Sequence, residues 1–481
     1  MIVRWICEKD NKKWIYPVEK CAYCKGPIKK QIGSKIKVVG ITKVMIPSPM
    51  HPIIPYNIIL LQDEFGNRLP KKTMKDFKIG DAYIEEKAKT GNAVSTIKIK
   101  YDAYEAIKHS LDLINFKVNK EDKILIKPSA VTAAYSYQAV NTNPEIVAAV
   151  IKHLLELGVP NANILVAEQA LIGSDSMDAA AKSGILEICK KNDITFADIS
   201  KGPFSDVEQD GFKFKVFSEA LSRHVINVPV MKTNFQLIIS GALENLTRFL
   251  SPESQRELYQ KDFDKGVSAL SKVVKKITNI GDCSNGMQAQ GPLSAGEPAF
   301  MNLILASSNA VVIDKAFCDI FMLDTPTYVF ASTDGLDLSK TEYLGSELDA
   351  LRYPILHAVP NETPHPDIKV KDAKGCPACV NMMYNITSRL VGLRGDQINI
   401  IIGNHFDETD LKMPRVVAMG DCAIKKLEEM KNEETARIDE KTDPIEQLLF
   451  MKKLLTTKGT PKITNVDKVK SKMKKLLSKV A

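Results

Sequence analysis

The sequence predicts an α/β protein with a mainly parallel sheet and helices on both faces of it. Two small β-rich units precede this domain and a charged helical tail follows it. Three observations lead to this fold class. The 481 residues are 44% hydrophobic, enough for more than one core. Strand-like and helix-like periods alternate after Lys100, as expected for crossover units of one sheet. The predicted elements include a helix over 176–191 and strands at Ile164–Glu168, Gln397–Ile402 and Val416–Met419. Before Lys100, short apolar runs are separated by Pro, Gly and Asp turns, a pattern typical of a small antiparallel barrel.

The changes of pattern divide the chain into four predicted segments. They are a cysteine-bearing unit at 1–35, a β-barrel at 36–88, an α/β domain at 96–424 that binds metal and substrate, and a charged helical tail at 425–481.

Basic residues are concentrated at the two ends of the chain. Residues 1–30 hold eight Lys or Arg against three Asp or Glu, and residues 425–481 hold fifteen against nine. Nucleic-acid enzymes usually spread positive charge over their working face, so nucleic-acid binding is a less favoured alternative. Because the sequence has no long apolar run and no signal-peptide pattern, we expect a cytoplasmic protein without a membrane span.

Three cysteines and an aspartate near the start have the residue types of a metal site. Cys21 and Cys24 are spaced so that both thiols can face one tetrahedral ion, and Cys7 and Asp10 are placed to supply two further ligands. A zinc ion is the functional interpretation. The alternative is a knuckle that aromatic and proline packing holds together without metal.

This region resembles a known pair of modules. The order along the chain is an aromatic residue, a cysteine position, Tyr16-Pro17 and Cys21-x2-Cys24. A small barrel follows, with Phe77–Asp81 before its last strand, Ala82–Ile84. This order resembles the rubredoxin-like zinc ribbon and OB-fold modules that accompany thiolases and other acyl-CoA enzymes, over about the first 86 residues. The resemblance implies a zinc ribbon, an OB-type β-barrel, and contact with an acyl-CoA or a thiolase-like partner.

Charged residues recur at the ends of the predicted strands of the α/β domain. Ligands of open α/β sheets bind at the carboxyl ends of the strands, so we expect these residues to converge. Two lysines would hold an anionic substrate and a carboxylate would move a proton, although a strand also commonly ends in a solvated charge. The lysines are Lys127 and Lys232, and the carboxylates are Asp282, Asp314 and Glu168.

The same region resembles the uncharacterised family known as domain of unknown function number 362, which is sometimes found beside iron–sulfur modules. The resemblance spans about 120–420 and implies a fold and an association with metal, but no established reaction. It includes Asn245, which we assign to substrate binding. Ser129 and Glu244 depart from the family pattern, which more usually has Asn and Lys there. The matching pieces are Lys127-Pro-Ser, Asn141–Pro144, Val228–Lys232, Gly241–Asn245, Gly286–Pro292, Ala306–Asn309 and Ile313-Asp314.

Three further thiols are predicted at helix N-termini, where the helix dipole favours thiolate. Cys376, Cys379 and Cys422 can together hold a [4Fe–4S] cluster with one open iron, or zinc with a free position. Cys283 is the candidate fourth ligand. A Cys376/Cys379 redox dithiol and a purely structural role remain open. Cys189 and Cys318 each fall in a predicted amphipathic helix, and both are predicted to be core residues.

Motifs for nucleotide phosphates and for common hydrolases are absent from the sequence. Among the scattered histidines, His405 follows a predicted strand and is the one retained as a site candidate. The sequence therefore indicates a metal- or iron–sulfur-dependent enzyme of anaerobic, archaeal-type or acyl-CoA-linked metabolism that acts on a small anionic or thioester substrate. The alternatives are a non-catalytic partner or scaffold protein for a thiolase-like enzyme, and a nucleic-acid-binding protein.

Overall fold

The computed structural model describes residues 2–84, 89 and 91–457, and it begins with two small antiparallel sheets. The strands of the first sheet are β1 (Ile2–Cys7), β2 (Lys13–Trp14) and β3 (Ile28–Gly33), and those of the second are β4 (Lys37–Val44), β5 (Tyr56–Gln62) and β6 (Arg68–Thr73). Ile2 of the first sheet packs with Ile59 and Leu61 of the second, so the two sheets share a core. Ala82, in the expected last strand of the barrel, makes only an isolated bridge to Lys37.

The next thirteen strands of the chain build the large sheet and one separate hairpin. They are β7 (Ala93–Lys98), β8 (Ile124–Pro128), β9 (Ile164–Glu168), β10 (Thr195–Asp198), β11 (Phe204–Gln209), β12 (Phe212–Phe217), β13 (His224–Val228), β14 (Val230–Asn234), β15 (Ile238–Ser240), β16 (Ile277–Ala289), β17 (Gly296–Ala299), β18 (Leu303–Ser307) and β19 (Glu342–Leu344). β11 and β12 form the hairpin, and the others form an eleven-stranded sheet with the main order β10-β9-β8-β13-β16-β18-β7-β19. The pairs from β10 to β16 are parallel, whereas β18 is antiparallel to both of its neighbours. A mostly parallel sheet is therefore confirmed.

Helices cover both faces of the large sheet. On β8, Leu125 packs into one apolar cluster, whereas Ile124 and Ile126 pack into another. Such alternation buries a strand on both faces. The helices of this part are α1 (Ala103–Leu113), α2 (Pro144–Glu156), α3 (Ser176–Lys182), α4 (Ile185–Lys191), α5 (Ser218–Ser222), α6 (Ala242–Leu246), α7 (Pro252–Gln260), α8 (Phe263–Val273), α9 (Ala310–Phe321), α10 (Thr327–Ala331) and α11 (Leu348–Leu351). Helices α1, α2 and α4 pack on the face of Ile124, and α6, α8 and α9 on the face of Leu125.

A second, fully parallel sheet follows, with an apolar cluster that includes Ile400 and Phe450. Its elements are β20 (Ile368–Ala373), α12 (Pro377–Leu390), β21 (Ile398–Gly403), β22 (Val416–Met419), α13 (Asp421–Glu429), β23 (Ala436–Ile438) and α14 (Pro444–Thr456). The sequence analysis assigned β21 and β22 to the same sheet as the earlier strands, and that assignment is wrong. Part of the expected tail, β23 and α14, belongs to this unit. The lysine-rich segment 458–481 lies outside the described residues.

Two local expectations also differ from the structure. The single helix expected over 176–191 is divided at Gly184, whose backbone has a φ of 86°, a conformation that ends a helix. Asp314, expected after a strand, lies within α9 instead. The apolar run Val311–Ile313 fits a buried helix as well as a strand, and periodicity alone does not separate the two. Within the described ranges, no helix is long and apolar enough to span a bilayer.

Candidate metal centre and adjacent anion cleft

Three thiols and one carboxylate form a compact group at an edge of the four-stranded sheet. Cys376 lies between β20 and α12, and Cys422 lies in the first turn of α13, which follows β22. The Sγ atom of Cys376 is 3.6 Å from that of Cys379 and 3.6 Å from that of Cys422. With one carboxylate oxygen of Glu440, the four ligand atoms lie within 4.8 Å of one another. These residue types in such a group can bind a metal ion.

The environment of the thiols favours negative charge. Cys376 caps the N-terminus of α12, and Arg256 Nη1 donates to its Sγ at 3.5 Å. Hydrogen bonds from Cys379 and Cys422, assisted by the charge of Arg256, lower the pKa of Cys376 to about 2. The same sharing raises the pKa of Cys379 well above its usual value and raises that of Cys422 to about 12. Cys376 is therefore the thiol that favours the charged form, and its thiolate would attract a cation.

Two residues next to the thiols fix the shape of the group. Both guanidinium Nη atoms of Arg256 donate to the carboxylate of Glu440, at 2.8 and 2.5 Å. Gly420 precedes α13 with a φ of 93°, and a Cβ atom there would lie 2.5 Å from Cys379 Sγ. The close approach of the backbone to this sulfur therefore requires glycine.

A narrow polar cleft adjoins the thiol group. Lys232 and Arg248 are both buried in its wall, together with the less buried Glu244. Lys232 Nζ donates to Val140 O at 2.9 Å, and Arg248 Nη2 lies 4.0 Å from Glu244 Oε1. Arg248 is 4% exposed, and its Nη1 atom has no hydrogen-bond partner among the described residues. A buried donor without a partner is costly, and two cations face one carboxylate here, so the cleft suits an anion.

Helix α7 connects the cleft to the thiol group. The hydroxyl of Tyr259, which lines the cleft, donates to Glu244 Oε1 at 3.0 Å. The next residue, Gln260, donates its amide to Cys422 Sγ. Pro377, directly after Cys376, also lines the cleft. The metal-binding group and the cleft are therefore parts of one site.

The sequence analysis placed Lys127 and Asn245 at this substrate site, but the structure places them in a buried network beside it, where Lys127 interacts electrostatically with Arg248 and Glu244 of the cleft. Lys127 Nζ is 2.7 Å from Glu168 Oε2 and 3.0 Å from Asn245 Oδ1. Ser129 also donates to Asn245 Oδ1, at 3.1 Å. None of these four side chains is among the described residues that line the cleft. Of the two expected anion-binding lysines, only Lys232 reaches it.

The other two predicted catalytic carboxylates bind backbone groups. Asp282 accepts hydrogen bonds from the backbone N–H groups of Asn143, at 2.8 Å, and Ser284, at 2.9 Å. Asp314 accepts from the first two N–H groups of α6, at 2.5 and 3.0 Å, and burial raises its pKa to about 7. Neither carboxylate lines the cleft within the described chain. Their contacts fix the backbone at the start of α2, within β16 and at the start of α6.

Cys283 is a correction to the expected ligand set. Its side chain lies in β16 and packs in the apolar cluster of the large sheet, whereas the other three thiols pack in the cluster of the four-stranded sheet. In the described ranges Cys283 joins neither potential metal-binding group, and Glu440 is the fourth member instead. The exposed His405 contacts Asn404 and is likewise outside both groups. The other two lone thiols, in α4 and α9, are buried in apolar clusters as expected.

The N-terminal cysteines form a second group that can hold a metal ion. The Sγ atoms of Cys7 and Cys24 are 3.4 Å apart, and Cys21 Sγ is 3.3 Å from Asp10 Oδ2. All four ligand atoms lie within 4.8 Å of one another. The backbone N–H groups of Tyr23 and Cys24 each donate to Cys21 Sγ at 3.4 Å. The four residues that the sequence analysis proposed are therefore adjacent in the structure.

Several residues of the site were not found from the sequence. Arg256, Gln260 and Glu440 reach the thiols, and Arg248 and Tyr259 line the cleft. They come from elements without a recognisable motif. Glu244 had drawn notice only as a departure from a family pattern.

Comparison with known proteins identifies part of the chain. Residues 124–319 match the family described as "Domain of unknown function (DUF362)", which confirms that resemblance over this segment. The "Thylakoid-associated protein sll1697" of Synechocystis sp. (strain ATCC 27184 / PCC 6803 / Kazusa) is 26% identical over 233 residues, which are 47% of this chain and 71% of that protein. In the N-terminal region, the solved structure titled "Ltp2-ChsH2(DUF35) aldolase" is 18% identical, with a TM-score of 0.15, and the similarity covers 18% of this chain and 71% of that one.

Proposed function

We propose that this chain, in which residues 124–319 form a DUF362 domain, is a metal-dependent enzyme that acts on a small anionic substrate. The thiols of Cys376, Cys379 and Cys422 would hold the ion, and the adjoining cleft would hold the substrate. The observation that carries the proposal is the connection through α7. Its consecutive residues Tyr259 and Gln260 contact the cleft and the thiol group, respectively.

The spacing of the sulfurs supports a single tetrahedral ion of the zinc type. Zinc–sulfur bonds of about 2.3 Å place neighbouring ligands of a tetrahedron roughly 3.8 Å apart. The two 3.6 Å separations around Cys376 match that edge. A [4Fe–4S] cluster interposes four irons and four sulfides between its cysteine ligands, which requires a wider spacing of their sulfurs.

The composition of the group also favours metal over a redox dithiol. A dithiol pair needs only Cys376 and Cys379, and it gives no role to a third thiol at the same distance. Three thiols around one position agree with a soft divalent cation, whose binding would release their protons.

Glu440 and Arg256 lie next to the position of the proposed ion that the three thiols leave open. Because both oxygens of Glu440 accept hydrogen bonds from Arg256, we assign the carboxylate to positioning that arginine and leave one coordination position for the substrate. A bound ion of this kind polarises a carbonyl or hydroxyl oxygen.

The residues of the cleft would bind and orient the anion. The ammonium of Lys232 and the unpartnered Nη1 of Arg248 provide two cationic donors for a carboxylate or phosphate group. Burial and the charge of Glu244 raise the pKa of Tyr259 well above its usual value, so its phenol keeps its proton and lines the cleft as a neutral group. The hydrogen bond to Glu244 orients that phenol.

Metal analysis of protein purified without oxygen tests the metal site. We expect two ions per chain, one at each cysteine group, and visible charge-transfer absorption when cobalt(II) replaces zinc. Cys376→Ser should reduce the content to one ion, as should Cys24→Ser, whereas the buried control Cys189→Ser should retain two. Iron with sulfide would overturn the single-ion assignment. No metal at the Cys376 group would overturn the enzyme proposal itself.

Calorimetric titration with acetate and inorganic phosphate tests the cleft. We expect the metal-loaded protein to bind at least one of these anions and the Arg248→Met variant to bind it at least tenfold more weakly, since a hydrogen bond to a charged group contributes about 1.5–3 kcal/mol. Arg394→Met removes the same charge from an exposed position and should leave binding unchanged. Equal weakening in both variants would refute a specific anion site.

A further inference from the structure

A separate cavity of about 400 Å³ lies between the N-terminal sheets and the large-sheet domain. Leu61 of β5 and Leu69 of β6 line one side, and Ile97 of β7 and Ala106 of α1 line the other. Its volume falls within the roughly 300–1,000 Å³ that small-molecule sites occupy. The cavity therefore has the size and the apolar lining of a ligand site.

Among the described residues that line the same walls, cations outnumber carboxylates. Both carboxylates are engaged elsewhere: Asp102 accepts from the backbone of α1, and Glu105 pairs with Lys30. They are therefore weak partners for the cations of the cavity. Those cations are Arg4, Lys71, Lys72, Lys98 and Lys100.

Two of these lysines have only neutral contacts. Lys98 Nζ donates to Met301 O at 2.8 Å, and Lys72 Nζ lies 3.3 Å from His51 Nδ1 and 4.4 Å from the centre of the Tyr56 ring. In the described chain, neither ammonium has a carboxylate within 4.0 Å. Burial lowers the pKa of both lysines, and each lowers the pKa of His51 further. Both lysines are half-buried, so each loses part of its hydration without gaining a described counter-charge, and a bound anion would supply that charge.

The geometry points to a binding site for an elongated amphipathic anion in this cavity. An apolar chain or ring would lie against Leu61, Leu69 and Ile97, and its phosphate or carboxylate head would lie beside Lys72 and Lys98. The site shares no residue with the metal group or its cleft, so it is independent of the proposed function.

Calorimetric titration of the full chain tests this site with four probes: octyl phosphate, octanoate, octanol and inorganic phosphate. We expect one or both amphipathic anions to bind, and octanol to bind at least tenfold more weakly because it lacks charge. Inorganic phosphate should also bind at least tenfold more weakly at this site because it lacks the apolar part. Tighter binding of octyl phosphate than of octanoate would identify a phosphorylated ligand, and tighter binding of octanoate would identify a carboxylate ligand. Both results support the proposal.

Substitutions of residues that line the cavity test where the anion binds. Lys72→Gln and Lys98→Gln should each weaken binding of the preferred amphipathic anion by roughly tenfold or more, as expected for loss of a charge-assisted contact. Lys191→Gln, at an exposed ion pair, should bind it as the unaltered protein does. Unfolding curves for each variant would reveal a folding defect. Leu69→Gln, at a half-buried position of the apolar wall, should also weaken binding. Affinity in both cavity lysine variants equal to that of the unaltered protein, or no binding of either amphipathic anion, would overturn the site.

Discussion

The Sγ atoms of Cys376 and Cys422 lie 3.6 Å apart although the two residues are 46 positions apart in the chain. Each follows a strand of the same parallel sheet, β20 or β22, and each stands at the start of a helix. The carboxyl ends of parallel strands meet at one edge, where helix N-termini also collect. The topology therefore brings these thiols together at a place where helix dipoles stabilise thiolate.

Replacement of Glu440 by Gln distinguishes a metal ligand from a positioning residue. We expect Glu440→Gln to retain the ion of the Cys376 group, because three thiols hold it, and to weaken substrate turnover because Arg256 loses its charged partner. Metal content after dialysis against a chelator measures the first effect. Loss of that ion to the extent seen in Cys376→Ser would make Glu440 the fourth ligand.

Gly420→Ala should disrupt the metal group from outside the ligand set. The added Cβ would lie 2.5 Å from Cys379 Sγ, at a φ of 93° that side chains rarely adopt. Backbone strain alone costs about 1–3 kcal/mol, and displacement of the sulfur adds to it. We expect weaker metal retention and a lower free energy of unfolding, both measurable by chelator competition and denaturant titration.

Gly392→Ala is the matched control for that substitution. A Cβ atom at Gly392 would meet no heavy atom within 4 Å. We expect its free energy of unfolding to change by no more than about 0.5 kcal/mol, as for other unconstrained surface positions. If both alanine variants kept metal and stability, the close approach at Gly420 would have no consequence.

The sequence predicted the members of the site that follow a recognisable pattern. Cys376 and Cys422 were both predicted at helix starts, and Cys422 also after the strand Val416–Met419. The strand before Cys376, β20, was not predicted, and with it the topology of the parallel sheet brings the two thiols to one edge. Glu440 and Arg256 come from the segment before α14 and from α7, and their approach depends on tertiary packing that no local pattern encodes. Lys127 follows the same strand-end pattern as Lys232, yet it is paired in the interior because Glu168 ends the neighbouring strand.

The fold was likewise predictable in part. The alternation of periods identified strands such as Ile164–Glu168 and Val416–Met419 with the bounds that the structure has. Periodicity reports which residues are buried but not which strand pairs with which. The division into two sheets, and the antiparallel place of β18, therefore could not be predicted from it.

The buried pair Lys127 and Glu168 should be a large contributor to stability. Their charged atoms are 2.7 Å apart, with side chains no more than 1% exposed. Removal of one partner of such a pair costs about 3–5 kcal/mol, because the remaining charge is left buried and unpaired. We expect that loss in the free energy of unfolding of Glu168→Leu, and recovery of much of it in the Lys127→Met/Glu168→Leu double variant.

The exposed pair Lys191 and Glu187 is the control for this comparison. Its disruption by Glu187→Ala should change the free energy of unfolding by no more than about 1 kcal/mol. A Glu168→Leu variant that was as stable as this control, but inactive, would contradict the structural role and restore Glu168 as a catalytic candidate.

Anion binding in the cleft should weaken as the pH rises through about 8. Burial lowers the pKa of Lys232 from its ordinary 10.5 to about 8, so the ammonium is charged below that pH and neutral above it. Arg248 keeps its charge throughout this range. Acetate does not titrate between pH 6.5 and 9.5, so its calorimetric affinity reports the protein alone. We expect the affinity to fall with pH in the unaltered protein and to be low and constant in Lys232→Met; the same decline in that variant would assign the titration to another group.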